Sequence, residues 1–444
     1  MVLKVGLVSL GCPKNLVDSE IMLGLIKDSG YEITNREQEA DVLVVNTCSF
    51  IKDAKEESIK TIFELARNKE QGNCRVLLVA GCLAQRYPEQ LLNEIPEING
   101  LIGTGSLPGI TGAIRQALAG ERVLMVGEPG HLHTTTYPRL QATPFYSAYL
   151  KIAEGCDNRC SYCTIPQVRG PYKSRTIEDI VSEASGLARR GVKEMVLVAQ
   201  DTTRYGIDLY ENPALDDLLL RLDQVEGLVW LRLLYTYPTL FSDKLIQALA
   251  RTGKLCRYLD LPLQHAADTV LRRMNRRGGS QENTSLLEKL RGAMPGLTLR
   301  TSFIVGFPGE TQDEFQELLD FMAYIKFERV GIFTYSREEG TAAAEMSGQV
   351  PEEIKLARRD RAMDLQKKIS KDINQAKIGE TITVLVEGHR TKKLHVYEGR
   401  SEGDAPEIDG KVIFKSGKDL KPGDFVRVLV KGASPYDLEG ELVT

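Results

Sequence analysis

Cys156-Asp157-Asn158-Arg159-Cys160-Ser161-Tyr162-Cys163 sets three thiols in a CxxxCxxC spacing just after the apolar run Ala148–Ala153. Three thiolates so close together point to a metal, and an iron–sulfur cluster on Cys ligands is the natural candidate. The spacing supplies three ligands and no fourth, so a four-iron cluster held here keeps one iron open to a substrate or cofactor. A structural zinc site wants a fourth ligand, from a second CxxC or a nearby HxxxH. No His lies between His133 and His265, and the next Cys is Cys256. Zinc and a disulfide stay as alternatives.

Working outward, 444 residues at about 150 per domain suggest roughly three domains. Hydrophobic content of 42% is ample for real cores, and a net charge of -4 carries no global basic signature. No apolar run reaches the length of a transmembrane helix. Val5–Leu10, ending in Gly11-Cys12, is too short and too weakly basic at its start for a lipoprotein signal and reads as a strand. Eight cysteines without a secretory signal suggest a reducing compartment, so a cytoplasmic protein is expected.

Residues 1–140 alternate aliphatic and amphipathic runs, the pattern of an open parallel α/β domain. Strands are predicted at Val5–Leu10, Asp41–Asn46, Arg75–Ala80 and Gly100–Gly103. Helices are predicted at Leu16–Lys27, Ala54–Arg67, Pro88–Leu92 and Ile110–Leu118. Cys12, Cys48 and Cys82 each lie two residues beyond a predicted strand. Parallel strands end at one edge of the sheet, where such folds place ligands, so the three thiols can converge. Each alone could be an ordinary buried small hydrophobe. Cys74 precedes its strand, at the opposite edge.

Residues 141–376 hold six apolar strands with helices between them: Ala148–Ala153, Met195–Ala199, Trp230–Tyr235, Tyr258–Leu263, Leu299–Val305 and Val330–Tyr335. One connecting helix is marked by Thr176 as N-cap, Asp179 three residues on and Gly191 as stop. Repeated βα units imply a partial (β/α)6 barrel with its chemistry at the C-terminal strand ends. That edge carries the CxxxCxxC loop, Gln200-Asp201-Thr202-Thr203, Gln264-His265 and Gly306-Phe307-Pro308-Gly309-Glu310. Cys256 starts a strand and is expected in the core. Arg272-Arg273 and Arg276-Arg277 read as a solvated helix face rather than a patch for an acidic partner.

Pro351–Lys377 reads as a charged helix leading to a tail, residues 377–444. Short strands at Thr381–Val386, Leu394–Gly399, Gly410–Phe414, Phe425–Val430 and Leu438–Val443 suggest a small OB-like antiparallel β-barrel. Nucleic-acid binding by such a module wants clustered Lys/Arg. The tail has 11 basic and 12 acidic residues, and Glu402, Asp404, Glu407 and Asp409 would repel phosphates. RNA binding is therefore expected to be weak or absent, with a local basic face at Lys392 and Lys393 as the exception to watch. The acidic stretch suits a basic protein partner.

Tyr162, between the last two cysteines, completes a pattern that resembles the radical S-adenosylmethionine (SAM) superfamily. End to end, the chain is similar to methylthiotransferases: three dispersed N-terminal cysteines, a radical SAM barrel and a C-terminal TRAM domain. One bacterial branch modifies isopentenylated adenosine in tRNA; the RimO type modifies an aspartate of the small-subunit ribosomal protein S twelve. Ser9-Leu10-Gly11-Cys12-Pro13-Lys14-Asn15, Ala199-Gln200-Asp201-Thr202-Thr203 and Ala405-Pro406-Glu407-Ile408-Asp409-Gly410 resemble the ribosomal branch. The tRNA branch usually has Gln-Met at Pro13-Lys14 and a basic TRAM domain. A non-catalytic iron–sulfur carrier is the third reading, though closed Cys₄ sites would serve it better.

The resemblance implies two 4Fe-4S clusters and SAM. Cys156, Cys160 and Cys163 would hold the cluster that binds SAM and yields a 5′-deoxyadenosyl radical, able to break a C–H bond at an aspartate β-carbon. Cys12, Cys48 and Cys82 would hold the second cluster and deliver the methylthio sulfur. Tyr162 would pack on the adenine, with Gln200, Asp201, Arg300, Val305, Gly306 and Glu310 completing the SAM pocket. The implied partners are the ribosomal protein and an electron donor such as flavodoxin or ferredoxin.

Overall fold

The aliphatic runs of the first third become six parallel strands: β1 (Lys4–Ser9), β2 (Glu32–Ile33), β3 (Val42–Thr47), β4 (Val76–Gly81), β5 (Gly100–Ile102) and β6 (Val123–Met125), in the order β2-β1-β3-β4-β5-β6. The computed structural model that places them describes residues 2–390 and 395–443. The two edge strands β2 and β6 were not foreseen, because two or three residues give no readable period. The central pair β3 and β4 is buried at every position, which is why both read as unbroken apolar runs. Val42, Val44 and Leu78 pack on Met22, Ile26 and Ile114 on one face. Leu43, Val45 and Leu77 meet Ile62, Leu65 and Leu91 on the other.

A second sheet begins at β7 (Ser147–Lys151). After the two-residue ribbon β8 (Ala153–Glu154) with β9 (Lys173–Ser174), it continues through β10 (Glu194–Val198), β11 (Trp230–Leu233), β12 (Leu255–Asp260), β13 (Thr298–Val305) and β14 (Arg329–Thr334). Its order is β14-β13-β12-β11-β10-β7, with every neighbouring pair parallel, so it is an open six-stranded partial barrel. The Thr176 hydroxyl accepts from the Asp179 N–H at 3.3 Å and starts the helix Ile177–Arg189 as foreseen. Met195 and Leu197 face the outer helices. Val196, Val198 and Trp230 face inward onto Val17 and Ile21 of the helix Pro13–Asp28 and onto Leu385 and Ala405 of the tail. The first helix and the tail therefore both enter the concave side of the barrel. Cys256 lies in this inner core.

The helix Glu352–Ala376 leads to β15 (Thr381–His389), β16 (Val396–Ser401), β17 (Val412–Lys415), β18 (Phe425–Ala433) and β19 (Leu438–Leu442). These close a barrel in the order β15-β16-β17-β19-β18, with β17 and β19 parallel and the other pairs antiparallel. That is an OB-type arrangement. Lys392, Lys393 and Leu394 lie outside the described residues.

The acidic stretch of the tail corrects the surface expected of it. Asp404 is 2% exposed and pairs with Arg329 at 2.8 Å. Asp409 accepts from the Tyr258 hydroxyl at 2.6 Å and faces Arg300. Three of the four carboxylates thus meet the barrel, since Glu402 Oε2 accepts from the Arg257 N–H at 3.1 Å, and Glu402 and Glu407 are the exposed pair. A second clamp joins Glu194 of β10 to Arg400 of β16 and to Arg232 of β11, all buried. Burial alone would raise the Glu194 carboxyl; the two guanidiniums overcome it and hold it at about 2. The clamp is therefore at full strength above the ordinary carboxylate range and is lost only as pH falls toward 2.

Candidate active site

At the first sheet's C-terminal edge, three strand ends are stitched by buried amides and hydroxyls. The Asn15 amide donates to the Leu10 and Thr47 carbonyls at 2.7 and 3.1 Å. Asn46 donates to the Asn15 carbonyl at 2.8 Å, and Thr47 Oγ1 to the Ala80 carbonyl at 2.6 Å. These bonds bring Cys12, at the N-cap of Pro13–Asp28, beside Cys48 and beside Cys82, the first residue of the helix Cys82–Arg86. Gly11 lies so close that a Cβ there would stand 2.7 Å from the Cβ of Cys48. Gly81, at φ +92, would drive a Cβ to 2.2 Å from Asn46 Oδ1. Both are positions only glycine fills. The offsets differ slightly from those predicted, since β1 ends at Ser9 and β4 at Gly81, but the edge is the one expected.

The barrel loop is pinned from every side. Cys156 N–H donates to the Gly170 carbonyl at 3.1 Å and Ser161 N–H to the Met274 carbonyl at 2.9 Å. Asn158 donates to Asp201 Oδ2 at 2.8 Å, and Asn275 to the Arg159 carbonyl at 2.7 Å. Burial pushes the Cys48, Cys156 and Cys163 thiols up to about 12, so ligation of iron there must displace protons.

Each triad has its own arginine, and sequence reasoning missed both. Arg276 lies over the Tyr237 ring, donates to the Pro262 carbonyl at 2.7 Å and points an N–H at Cys160 Sγ, 3.9 Å away. This corrects the solvated face expected of Arg276, although Arg272 and Arg277 are exposed as anticipated. Arg169 is 2% exposed and bonds Asn15 Oδ1 at 2.7 Å and Asp18 at 2.5 Å; burial raises the Cys82 thiol, and the Arg169 charge opposes that rise. A guanidinium beside each set of thiols is the charge that a cluster on three thiolates requires, and hydrogen bonds to sulfur tune such groups. Among the described residues no three His, Cys, Asp or Glu side chains close on a single ion.

The predicted SAM-pocket residues divide into two sets. Tyr162 sets its ring edge-on to Phe307, and its hydroxyl meets Arg276 at 3.4 Å. Gln200 is half-buried at the barrel mouth. Val305 and Gly306 line the turn after β13, Gly306 at φ +72. The other three side chains are engaged within the fold. Asp201 holds Asn158 and accepts from Thr203 Oγ1 at 2.6 Å. Arg300 pairs with Asp260 at 2.8 Å. Glu310 accepts from the Phe307 N–H at 3.0 Å and pairs with Arg358 at 3.1 Å. His265 is fully buried, with Nδ1 accepting from the Ala267 N–H at 3.0 Å, and burial pushes it down to about 3. A cavity of ≈ 540 Å³ beside Ser106, Met125, His131 and Tyr137 contains none of these groups.

The two edges face one another across shared contacts. Thr104 Oγ1 donates to the Val168 carbonyl at 2.6 Å. Arg86 and Lys55 both pair with Glu338, at 2.8 and 2.7 Å.

Sequence comparisons agree with this geometry. Residues 4–103 match the model of uncharacterized protein family UPF0004, 150–322 that of the radical SAM superfamily and 378–443 that of the TRAM domain. The chain is 66% identical, over 100% of both chains, to a ribosomal protein uS12 methylthiotransferase RimO of Pelotomaculum thermopropionicum. It belongs to the RimO family of radical SAM methylthiotransferases. A second RimO, from Desulforudis audaxviator, is 54% identical over 99% of this chain and 97% of its own. As a family member the protein is an enzyme whose cofactors are SAM and [4Fe-4S] clusters. The radical SAM methyltransferase TsrM of Kitasatospora setae shares the fold at 14% identity, with a TM-score of 0.56 over 86% of this chain and 79% of that one. No helix among the described residues is long and apolar enough to cross a membrane.

Two cysteines stand apart from these edges. Cys74 is buried and donates to the Val76 carbonyl at 3.3 Å, and Cys256 is 1% exposed. Serine at either is expected to keep iron content and turnover near those of the parent, at a stability cost of about 1–2 kcal/mol for burying a hydroxyl. Iron analysis of the two variants checks this; loss of one cluster from either would reassign the ligands.

Proposed function

We infer that the enzyme inserts a methylthio group at the β-carbon of an aspartate in ribosomal protein uS12. The observation that carries this reading is the pair of three-thiol edges facing each other, in a chain collinear with uS12 methylthiotransferases. Cys156, Cys160 and Cys163 would hold one [4Fe-4S] cluster, and Cys12, Cys48 and Cys82 would hold a second. When bound, the first supplies with SAM a 5′-deoxyadenosyl radical able to break an unactivated C–H bond, and the second supplies sulfur.

The protein contributes position, charge and exclusion of water. Asn158 and Asp201 fix the cysteine loop. Arg276 donates toward Cys160 Sγ, and Arg169 balances charge at Cys82. Tyr162 and Gln200 would contact SAM, and the Val305–Gly306 backbone would floor its pocket. Electrons come from a small carrier such as flavodoxin or ferredoxin. The tail's net charge of -1 leaves RNA binding weak or absent, because phosphate contacts need a basic surface. The work is done in the cytoplasm, where ribosomes are.

Mass spectrometry of uS12 and of tRNA nucleosides from cells lacking the gene tests the assignment. The uS12 methylthio mark is expected to vanish while tRNA nucleosides stay as they were. Loss of a tRNA mark with uS12 unchanged would transfer the enzyme to the tRNA branch.

A further inference from the structure

Among the described residues, Lys14 makes no ion pair with a carboxylate. It sits in the first turn of the helix Pro13–Asp28, where the positive end of the helix dipole opposes a positive side chain. It is 4% exposed. Its ammonium stands 3.3 Å from the centroid of the Tyr235 ring. Burial lowers its pKa; beside the Cys12 thiol and Arg169, the groups that face it are two carboxylates, Asp260 and Glu154. Both are committed elsewhere: Glu154 to Lys151 at 2.6 Å, Asp260 to Arg300 at 2.8 Å and to the Tyr235 N–H at 3.0 Å. A buried cation without an anion destabilises a fold. No carboxylate of the fold is left to pair with Lys14, so packing alone does not account for it.

Its location does. Tyr235 follows β11 at the C-terminal mouth of the barrel, held at φ +59, with its carbonyl accepting from the Thr202 N–H at 2.9 Å. Thr202 adjoins Asp201, which holds Asn158 of the cysteine loop. From the other side, Lys14 is two residues beyond Cys12. The ammonium thus lies between the two thiol edges, on an aromatic ring that steadies it from one face and leaves N–H donors free.

We propose that Lys14 is the specificity-determining residue that receives the side-chain carboxylate of the substrate aspartate. This rests on the reading of uS12 aspartate as substrate. A single ammonium seated at the junction would neutralise the incoming carboxylate and set its β-carbon between the two edges. A buried charged donor also rejects an uncharged analogue, since that analogue leaves it unpaired.

The test uses full-length reconstituted enzyme with a uS12 peptide carrying the target aspartate, and the same peptide with asparagine there. The parent enzyme should favour aspartate about 100-fold in kcat/KM. Lys14→Met should narrow that preference to within about tenfold, chiefly through KM for the aspartate peptide, and Lys14→Arg should restore most of it. Iron content and the electron paramagnetic resonance of both clusters should persist in Lys14→Met. An unchanged aspartate-to-asparagine ratio in Lys14→Met overturns the proposal. So does loss or spectral change of the cluster on Cys12, Cys48 and Cys82, which would make Lys14 a partner of those thiols. Parent enzyme that modifies neither peptide but modifies tRNA refutes the substrate reading itself, an outcome told apart by the parent alone.

Discussion

Alanine at Cys156, Cys160 and Cys163 is expected to remove about half of the bound iron and all 5′-deoxyadenosine formation. Alanine at Cys12, Cys48 and Cys82 is expected to remove the other half, to spare 5′-deoxyadenosine and to abolish the methylthio product. The separation follows from construction. The first sheet is held by its own two apolar faces, and the barrel by an independent core. Emptying one edge therefore leaves the scaffold of the other standing. Iron analysis, electron paramagnetic resonance and chromatography of the SAM products read the three quantities. Parent protein with a single cluster, or with zinc, would sink the assignment. Full product from the Cys12, Cys48 and Cys82 variant would acquit that cluster as the sulfur source.

Much of this was legible because it is written in local chemistry. The CxxxCxxC loop is contiguous, and the strand runs at Val42–Thr47 and Val76–Gly81 are apolar on both faces. Cys12, Cys48 and Cys82 could be grouped because parallel strands share an edge. What escaped was tertiary. Arg169 meets Asp18 across 151 residues, and Arg276 meets Cys160 across 116. No period or spacing marks an arginine as turned inward, and Arg276 sits between the exposed Arg272 and Arg277. Charge counting failed for a related reason. Asp404 and Asp409 count as tail acidity, yet they are spent against Arg329 and Tyr258 of the barrel. At the turn Gly306–Glu310 the unforeseen part is again tertiary: the Glu310 carboxylate accepts from the Phe307 N–H and pairs with Arg358, 48 residues on. Burial pushes that carboxyl up to about 7, with Arg358 opposing.

Reversing charge at Asp404 is the second change with a large expected effect, and the structure alters what it means. Asp404 accepts from Ser401 Oγ at 2.6 Å, pairs with Arg329 at 2.8 Å and is 2% exposed. Asp404→Lys would set an ammonium against Arg329 where water cannot screen it. Breaking a buried pair costs about 3–5 kcal/mol, and adding a like charge costs more. The expected outcome is release of the β15–β19 barrel from its seat, read as proteolysis in the 376–381 segment and faster hydrogen exchange across β12–β14. Glu407→Lys is the control: the side chain is exposed, and a surface change of this kind stays within about 0.5 kcal/mol. A basic partner that docks on the tail reaches Glu402 and Glu407 and finds Asp404 already occupied. Asp404→Lys that keeps protease resistance and loses only affinity for uS12 would restore the stretch as a partner surface. The same variant losing its seat, while Glu407→Lys keeps both seat and turnover, fixes the acidic stretch as a joint between domains.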